Sequence, residues 1–443
     1  MDSTYDVVVI GGGLAGLTAA ATASRGGANV LSLDRQHVGG RAATDERAGF
    51  LLNRGAHALY RSGSAIEVLK RLGITPRGTA PQLDEATVLF DGELLALPNG
   101  PSSLARSRWL DRRDKLQFSL FLASVSAWPL HSARRLASSS AADWLAAQDL
   151  RPKVRLLAEA LVHVTSYCSD LERVSADVVA LQLGRGTRYG VLYLDGGWQR
   201  LADSLRGHIP AQQRARVDSI SSTSGGFAVE SDAGSYRAHS IVVAVESPAA
   251  AHRLLAGLGS DLPALRPPNA VTAACLDLVA LTYPRPSFIL GIDDPVYLSL
   301  HSAAADLRAE ANTPRSVAGP HVVHLLRYGA CSAAVDRPLL EATARRAGLD
   351  PAAGTVRFLA DLTVVSDAPL PSSGGLAGRP DIDFSGVPGC YVAGDWVGPD
   401  DFLAGTSLAS GERAGTAAAA HVTLRRTGNG KGRAKNTDEA SAA

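Results

Sequence analysis

The chain has 443 residues and a mass of 46.0 kDa, with 46% hydrophobic and 20% charged residues. This composition is typical of a globular protein and excludes a mainly disordered chain. At about 150 residues per domain, the length predicts two or three domains, each with a core of its own. The 44 basic and 43 acidic side chains leave a net charge of +1, so bulk charge gives no reason to expect a nucleic-acid partner.

The four cysteines, Cys168, Cys275, Cys331 and Cys390, lie far apart and form no CxxC pair. Because paired cysteines are the usual signature of a structural zinc site or a redox dithiol, the sequence predicts neither, and no metal. The first residues lack the basic segment of a signal peptide, and no apolar run reaches the roughly 18 to 20 residues of a spanning helix. We therefore expect a cytoplasmic protein without a transmembrane segment.

The N-terminal segment has the pattern of a βαβ unit. Residues 5–10 form a β-branched apolar run, residues 11–16 are rich in glycine, and an alanine-rich helical segment follows. A second apolar run, residues 28–33, closes on Asp34, as the second parallel strand does in a dinucleotide-binding unit of about 30 residues. The order strand, tight turn, helix, strand predicts a Rossmann-type domain.

Gly11, Gly13 and Gly16 have the spacing G-x-G-x-x-G. In such a turn the first glycine permits the tight bend, the second lets a pyrophosphate approach the main chain, and the third allows close packing of helix and strand. Asp34 follows Gly16 by 18 residues and is placed to bind a ribose hydroxyl. Its negative charge would repel a 2′-phosphate even though Arg35 is adjacent, so the spacing favours FAD or NAD over NADP. A glycine-rich connection without a ligand is the alternative.

The middle of the chain changes character twice. Residues 62–183 have mainly helical patterning, with apolar positions three and four apart in 65–72 and 143–164. Three short apolar runs between 214 and 245, separated by glycine-containing turns, predict a three-stranded meander. Strand-like segments between 271 and 326 are interrupted by prolines and predict a mixed sheet.

The end of the chain returns to the pattern of its start. Residues 390–395 read as a short buried strand ending in a turn, and residues 405–420 have the alanine and glycine content of a tightly packed helix. After residue 424 small polar and basic residues dominate, and these cannot bury enough apolar surface to order themselves. The sequence therefore predicts a disordered tail at 425–443.

Further motifs carry a family resemblance. Two glycines followed by Arg41 come shortly after Asp34 and leave main chain exposed toward a flat or charged ligand. Here the chain resembles the family of flavin amine oxidases, protoporphyrinogen oxidases and phytoene desaturases. The resemblance extends to the segments 49–57, 195–201, 216–217, 391–395 and 405–414. These matches follow the family order along the whole chain and imply FAD as the cofactor rather than NAD.

The resemblance also implies roles for single residues. Asp395 would hydrogen-bond the ribityl or pyrophosphate part of FAD, and the main chain at Val217 would meet the adenine. A helix that begins between Ala404 and Thr406 would point its positive end at the flavin N1 and C2 carbonyl, where negative charge collects on reduction. Fingerprint and resemblance together assign to the cofactor Gly11, Gly13, Leu14, Ala15, Gly16, Asp34, Arg35, Gly39, Gly40, Arg41, Ala42, Gly55, Ala56, His57, Val217, Gly394, Asp395, Ala404, Gly405 and Thr406.

The resemblance points away from amine oxidation. In relatives that oxidise amines, a lysine reaches flavin N5 through a water and an aromatic pair surrounds the substrate amine. This chain has no lysine between Lys153 and Lys431, and Leu403 stands at the position of one family aromatic. The segments 274–277 and 291–302 resemble the desaturase branch. In a desaturation flavin N5 takes the hydride, so few catalytic side chains are needed.

His57, Arg54 and Trp396 are the catalytic candidates, and Tyr60 is a further pocket candidate. His57 is the strongest of them, because its segment resembles the family segment beside the flavin and an imidazole titrates near neutral pH. For each of these side chains, packing or solvent exposure is the alternative interpretation.

The sequence thus predicts an α/β fold: a discontinuous Rossmann-type FAD-binding domain with an inserted α+β substrate domain. The FAD domain is assigned to 1–75, 190–250 and 360–424, and the substrate domain to 76–189 and 251–359. Because only one dinucleotide fingerprint is present, the electron acceptor is expected to be external, oxygen or a quinone.

The predicted activity is dehydrogenation of a largely apolar small molecule by hydride transfer to flavin N5. One alternative is an oxidase of amines or of a porphyrinogen that releases hydrogen peroxide. The other is a non-catalytic binding protein similar to the prenyl-protein carriers of this superfamily. The apolar residues 116–130, with basic residues before and after them, form either a core helix or a helix at a membrane surface.

Overall fold

A computed structural model describes residues 3–36, 38–127, 130–259, 267–310, 320–383 and 385–439, with side chains except those of 3, 130, 131 and 428–439. The strands, in chain order, are β1 (Ser3–Ile10), β2 (Val30–Asp34), β3 (Thr44–Arg47), β4 (Phe50–Asn53), β5 (Leu59–Tyr60), β6 (Gly78–Thr79), β7 (Ala86–Phe90), β8 (Glu93–Ala96), β9 (Val191–Leu194), β10 (Ala211–Arg214), β11 (Val217–Thr223), β12 (Gly226–Ser231), β13 (Gly234–Val243), β14 (Val271–Ala280), β15 (Phe288–Gly291), β16 (Val296–Leu300), β17 (His321–Tyr328), β18 (Thr355–Val365) and β19 (Cys390–Val392). The helices are α1 (Leu14–Arg25), α2 (Ser64–Arg71), α3 (Pro101–Arg106), α4 (Arg112–Ala127), α5 (Ala141–Ala146), α6 (Pro152–Ser166), α7 (Ala176–Tyr189), α8 (Gln199–Arg206), α9 (Pro248–Leu255), α10 (Ala333–Arg346), α11 (Pro351–Gly354) and α12 (Ala404–Glu439).

The first sheet is of the Rossmann type. Its strand order is β10-β2-β1-β13-β12-β11, and β19 pairs with β13. β1 lies parallel between β2 and β13, and its residues Val7, Val8 and Val9 are fully buried, as expected for a strand covered on both faces. The predicted βαβ start is confirmed as β1, α1 and β2. The predicted meander is confirmed as the antiparallel strands β11, β12 and β13.

Helix α12 returns to this sheet and packs closely on α1. A Cβ at Gly411 would lie 2.3 Å from the carbonyl oxygen of Ala15, and one at Gly415 would lie 2.3 Å from that of Ala19. Any larger residue would push the two helices apart, so these glycines permit the close contact. The first and last parts of the chain therefore share one hydrophobic core.

The same helix differs from the sequence prediction at its end. It continues to Glu439, into the segment 425–443 that was predicted to be disordered. An ion pair holds the first residues of this segment in the helix. The Arg426 guanidinium lies 2.6 Å from a carboxylate oxygen of Asp6. Residues 440–443 lie outside the described residues.

The second sheet has the strand order β18-β14-β17-β16-β15-β7-β8. It is mixed, because β7 and β15 are parallel and the other pairs are antiparallel. One face packs on α10 through residues such as Leu276 and Leu340, and the other packs on α6 through residues such as Leu326 and Leu157. The predicted fold class, a Rossmann-type domain with an inserted α+β domain, is confirmed. The exact domain boundaries remain a prediction.

Strands β7 and β8 form a hairpin inside the stretch 62–183, so the helical prediction is wrong there. The turn residues Asp91 and Gly92 have φ values of 52° and 70°. An Asp-Gly turn with two positive φ values matches the twist of two adjacent strands. The hairpin is held in place because β7 pairs with β15, which follows it by about two hundred residues.

Helix α4 covers most of the apolar segment 116–130 and packs by one face. Phe118 is buried, whereas Leu116 and Leu120 are 62% and 61% exposed. Residues 128 and 129 lie outside the described residues. Within the described ranges, no helix is both long and apolar enough to cross a membrane.

Candidate active site

A cavity of about 1630 Å³ lies between the two sheets. Its wall includes the turn between β1 and α1, parts of β17 and β18, and the start of α12. Pockets for drug-sized ligands measure roughly 300 to 1,000 Å³. The cavity is therefore large enough for a dinucleotide and a second molecule together.

The cavity brings together most of the residues that the sequence assigns to the cofactor. Those on its wall are Gly11, Gly13, Leu14, Ala15, Asp34, Arg35, Gly39, Gly40, Arg41, Ala42, Gly55, Ala56, His57, Val217, Gly394, Asp395, Ala404 and Gly405. Gly16 and Thr406 lie one layer behind the wall. A Cβ at Gly16 would lie 1.8 Å from the carbonyl oxygen of Gly11, and Thr406 is buried.

The three fingerprint glycines have different surroundings, which explain their separate roles. Gly11 has a φ of 114°, and a Cβ there would lie 2.1 Å from the carbonyl oxygen of Ala244. A Cβ at Gly13, in contrast, would meet no atom within 4 Å. Gly13 is the N-cap of α1, and the first turn of that helix has no side-chain cap and no acidic residue. Its amide groups are therefore available to an anionic ligand.

Asp34 ends β2 beside this turn. Its Oδ1 accepts a hydrogen bond of 2.6 Å from the amide of Gln36, and its Oδ2 accepts one from the amide of Gly12. The carboxylate is thus held by two main-chain donors at the cavity wall, in the position expected of a ribose ligand. Arg35 is more than half exposed and lies 3.7 Å from Glu246.

Arg41 and Asp395 form a two-pronged ion pair with distances of 2.9 and 2.8 Å. The Ser366 amide also donates to Asp395, at 2.7 Å. Burial by itself would raise the pKa of Asp395, but Arg41 and the Ser366 amide outweigh it and hold this pKa below its usual value. The resemblance assigns both side chains to the cofactor. In the structure, the two side chains are ion-pair partners of each other.

His57 lies on the cavity wall and is half-buried. Its Nδ1 lies 2.9 Å from the carbonyl oxygen of Gly55, and its ring centre lies 5.1 Å from that of Trp198. Because a carbonyl can only accept, Nδ1 carries the proton and Nε2 is left as the acceptor of the neutral ring. Burial lowers the pKa of His57 to about 4, so the ring is neutral at pH 7.

The other predicted side chains divide between the wall and the core. Arg54 lines the cavity but is exposed and pairs with Asp45 at 3.3 Å. Tyr60 lines the cavity, and its hydroxyl donates to the carbonyl of Thr165. Trp396 is fully buried in the core of the first sheet and does not line the cavity. Its indole packs against Gly394, which supports the packing alternative for this residue.

A cluster that the sequence did not single out lies before α12. Asp401 pairs with Arg185 of α7, and its Oδ2 accepts from the Ser64 amide at 2.9 Å. Arg379 donates to the main-chain oxygen of Asp401 at 2.8 Å and to Thr406 Oγ1 at 3.0 Å. Asp401, Arg185 and Arg379 all line the cavity. One available sequence signal was Arg185, a charged residue among the apolar positions of α7.

A polar row crosses four adjacent strands of the second sheet. Ser299 is opposite His324, His324 is opposite Asp277, and Asp277 is opposite Arg357. His324 Nδ1 lies 2.6 Å from Asp277 Oδ1, and Arg357 Nε lies 2.6 Å from Asp277 Oδ2. Within the described residues, Cys275, Asp277 and His324 form the one group with the spacing of metal ligands. Arg357 neutralises the charge of Asp277, so these side chains belong to a buried ion-pair network.

A family model of flavin-containing amine oxidoreductases matches residues 14–309, two thirds of the chain. The chain belongs to this family. It is an FAD-dependent oxidoreductase, and the open space at Gly13 and the free start of α1 fit the pyrophosphate of FAD. The family match and the motifs agree on the cofactor without deciding the substrate.

Solved structures with the same fold include putrescine oxidase bound to putrescine, at 17% identity and a TM-score of 0.67, with 94% of this chain and 99% of that chain covered. Cyclohexylamine oxidase from Brevibacterium oxydans is 21% identical, with coverages of 95% and 99% and a TM-score of 0.63. A protein from Exiguobacterium sp. 255-15 assigned as a protoporphyrinogen oxidase is 16% identical, with coverages of 95% and 99% and a TM-score of 0.64. At these identities the likeness shows the fold alone. No curated protein sequence gives a significant match.

Proposed function

We propose that this flavoenzyme desaturates a largely apolar small molecule. The observation that carries the proposal is that two tyrosines on the cavity wall donate their hydroxyl protons to main-chain oxygens of the protein. The Tyr60 hydroxyl donates to the main-chain oxygen of Thr165, and the Tyr167 hydroxyl donates to that of Ala56 at 2.8 Å. Because these protons are already engaged within the protein, the tyrosines offer mainly their ring surfaces to a substrate. Such a wall favours an apolar molecule over one that needs hydrogen bonds.

The described cavity wall also lacks a group that amine-oxidising relatives use. No lysine is among its described residues, and Leu403 takes part in the wall where the family resemblance expects an aromatic side chain. An oxidase of amines would therefore have to work without both features. This supports desaturation over amine oxidation.

When bound, FAD supplies a hydride acceptor at N5. The remaining requirement is a proton acceptor, because a C–C single bond becomes a double bond by losing one hydride and one proton. His57 meets that requirement, since its Nδ1 proton is directed to Gly55 and its Nε2 lone pair is free at neutral pH. The protein's other contribution is to hold the substrate in a dry, shaped pocket.

The electron acceptor is proposed to be oxygen or a quinone. The sequence contains one dinucleotide fingerprint, at residues 11–16, and this fingerprint is assigned to FAD. A nicotinamide cofactor would need a second such site to exchange electrons with the flavin.

The test is anaerobic reduction of the purified, FAD-loaded protein. Bleaching of the blue absorbance band of oxidised flavin would be followed with long-chain isoprenoid hydrocarbons, with putrescine and cyclohexylamine, and with protoporphyrinogen. We expect bleaching by an apolar hydrocarbon, with a product that has gained a double bond. Readmitted air or an added quinone would then show which acceptor restores the absorbance.

Bleaching by an amine alone, with release of hydrogen peroxide after air is admitted, would overturn the desaturase proposal. His57→Gln separates the two parts of the proposal. If this variant reduces its flavin as fast as the wild type with the same hydrocarbon, His57 is not the proton acceptor, while the desaturase assignment stands.

A further inference from the structure

Arg379 is a buried cation whose hydrogen-bonding capacity is only partly used. It is 8% exposed and lies on the cavity wall. Its Nη1 donates to two neutral groups, the main-chain oxygen of Asp401 and the hydroxyl of Thr406. Its Nε and Nη2 have no hydrogen-bond partner. Among the described residues it takes part in no ion pair.

Four carboxylates lie near Arg379, those of Asp395, Asp367, Asp401 and Asp177, and two of them are paired with other cations. Asp401 is paired with Arg185, and Asp395 is paired with Arg41. Burial lowers the pKa of Arg379 to about 10, against the opposing effect of nearby carboxylates led by Asp395, so the guanidinium is still charged at neutral pH. Holding an unpaired charge in a protein interior costs several kcal/mol. The Phe402 ring, 5.5 Å from the guanidinium carbon, and the nearby carboxylates offset part of this cost, and a negative charge that enters the cavity would offset more.

We propose that Arg379 is the counter-charge of the reduced flavin, and that it acts with the N-terminus of α12 on the N1 and C2-carbonyl end of the ring. One observation, together with the family resemblance, supports this position. Thr406, to which Arg379 is bonded, lies in the first turn of α12, and the family resemblance places the N1 end of the flavin at the start of this helix. The helix N-terminus and the guanidinium therefore act on the same point.

The chemistry explains why a cation is useful there. Transfer of a hydride adds an electron pair and one proton at N5, and it leaves one negative charge shared by N1 and the C2 oxygen. Arg379 lowers the free energy of that charged form while it has less effect on the neutral oxidised ring, so it raises the reduction potential. The inference rests on the proposed hydride transfer to FAD. A substrate carboxylate is the other source of negative charge that could meet this guanidinium.

The test uses Arg379→Gln, which keeps an N–H donor for the Asp401 carbonyl but removes the charge, and Arg379→Lys, which keeps the charge. Arg155→Met is the control, because Arg155 is an exposed partner of Glu159 on α6. The readouts are the midpoint potential of the bound flavin and the dissociation constant of sulfite. Sulfite adds to flavin N5 and leaves the same negative charge at N1 and the C2 oxygen, so neither readout needs a substrate.

A hydrogen bond to a charged group contributes about 1.5 to 3 kcal/mol, so Arg379→Gln should weaken sulfite binding about 10- to 150-fold. At about 30 mV per factor of ten for a two-electron couple, the same loss lowers the midpoint potential by about 30 to 65 mV. Arg379→Lys and the Arg155 control should stay within about threefold of the wild type, or about 14 mV. If the glutamine variant does not fold, Thr406→Val, which releases the guanidinium from its anchor, should change both readouts in the same direction by a smaller amount.

Unchanged potential and sulfite affinity in Arg379→Gln and Thr406→Val would overturn the inference. If the midpoint potential and the sulfite affinity of Arg379→Gln are unchanged but its KM for a carboxylate-bearing substrate is raised, Arg379 binds the substrate instead. That result also overturns the inference. Failure of the wild-type protein to bind FAD is a different result, because it contradicts the proposed function before Arg379 is tested.

Discussion

Gly13→Ala tests directly whether the turn after β1 holds the pyrophosphate of FAD. Gly13 has φ −77° and ψ 177°, an extended conformation that alanine adopts without strain, and its Cβ would meet no protein atom within 4 Å. The apoprotein should therefore be as stable as the wild type or more stable, by about 0.4 to 1 kcal/mol, because alanine restricts the unfolded chain. The new methyl group, however, would occupy the space that a pyrophosphate needs.

The expected loss of FAD affinity follows from the bonds at stake. Displacing the phosphate from one main-chain amide forfeits a hydrogen bond to a charged group, about 1.5 to 3 kcal/mol, which is about 10- to 150-fold in Kd. The assay is titration of the apoprotein with FAD, followed by flavin fluorescence, together with the thermal midpoint of the apoprotein. Wild-type FAD affinity in a stably folded Gly13→Ala protein would refute the assignment.

Two other glycines provide matched comparisons. Gly100 is also an N-cap in extended backbone with no atom within 4 Å of its Cβ position, but it lies outside the cavity wall. Gly100→Ala should therefore leave FAD affinity unchanged. Gly16→Ala places a Cβ 1.8 Å from the Gly11 carbonyl oxygen, so α1 must move and the apoprotein should lose about 1 to 3 kcal/mol of stability. The three variants separate loss of binding from loss of folding.

Three further predictions concern His57, the Arg41–Asp395 pair and α4. His57→Gln should slow flavin reduction by substrate about 10²- to 10⁴-fold. Because burial lowers the pKa of His57 to about 4, the wild-type rate of that step should be level from about pH 8 to about pH 5, and a fall centred near pH 6.5, the ordinary histidine value, would contradict a neutral base. Asp395→Asn should lower the free energy of unfolding, measured with urea, by about 1 to 3 kcal/mol. This is less than the loss expected for a fully buried pair, because Arg41 is 39% exposed. The pKa of Asp395 is held below its usual value of about 3.9, so the ion pair stabilises the folded protein above about pH 4, and this stabilisation is lost as the pH falls below that value. If the difference in unfolding free energy between wild type and variant shrinks already near pH 6, the result would contradict the ion pair. In flotation with anionic vesicles, the protein should bind through the exposed Leu116 and Leu120, and replacing both by serine should release it; full recovery of the wild type in the soluble fraction would exclude membrane contact.

The start of the chain was predictable because its chemistry is local. The apolar run of β1, the fingerprint turn and Asp34 lie within about 30 residues. Gly11 also meets a distant residue, Ala244, but the other contacts of the turn are largely local. Gly16 illustrates this, since the carbonyl that excludes a side chain there belongs to Gly11, five positions earlier. Such contacts leave a sequence signature that does not depend on the rest of the fold.

The hairpin of β7 and β8 shows a different kind of error. Its signal was present, because Asp91-Gly92 between two apolar runs is a strong indication of a two-residue turn. The helical patterning on both sides of 86–96 dominated the prediction. What fixes this hairpin in the fold is its parallel pairing with β15, and a partner so distant in sequence leaves no periodic pattern.

The residues beside α12 could not be predicted for the same physical reason, and they show how two distant parts of the chain form one cavity wall. Arg185 belongs to a helix of the inserted part of the chain, and Asp401 lies 216 residues later, yet both are buried and paired at the cavity wall. Either charge alone would be costly in that position, so the two parts of the chain must dock before the pair is stable. The docking occupies the carboxylate of Asp401 and leaves Arg379 facing the cavity without an anionic partner. On the proposal above, the availability of the Arg379 charge to a flavin therefore depends on the contact between α7 and the segment before α12.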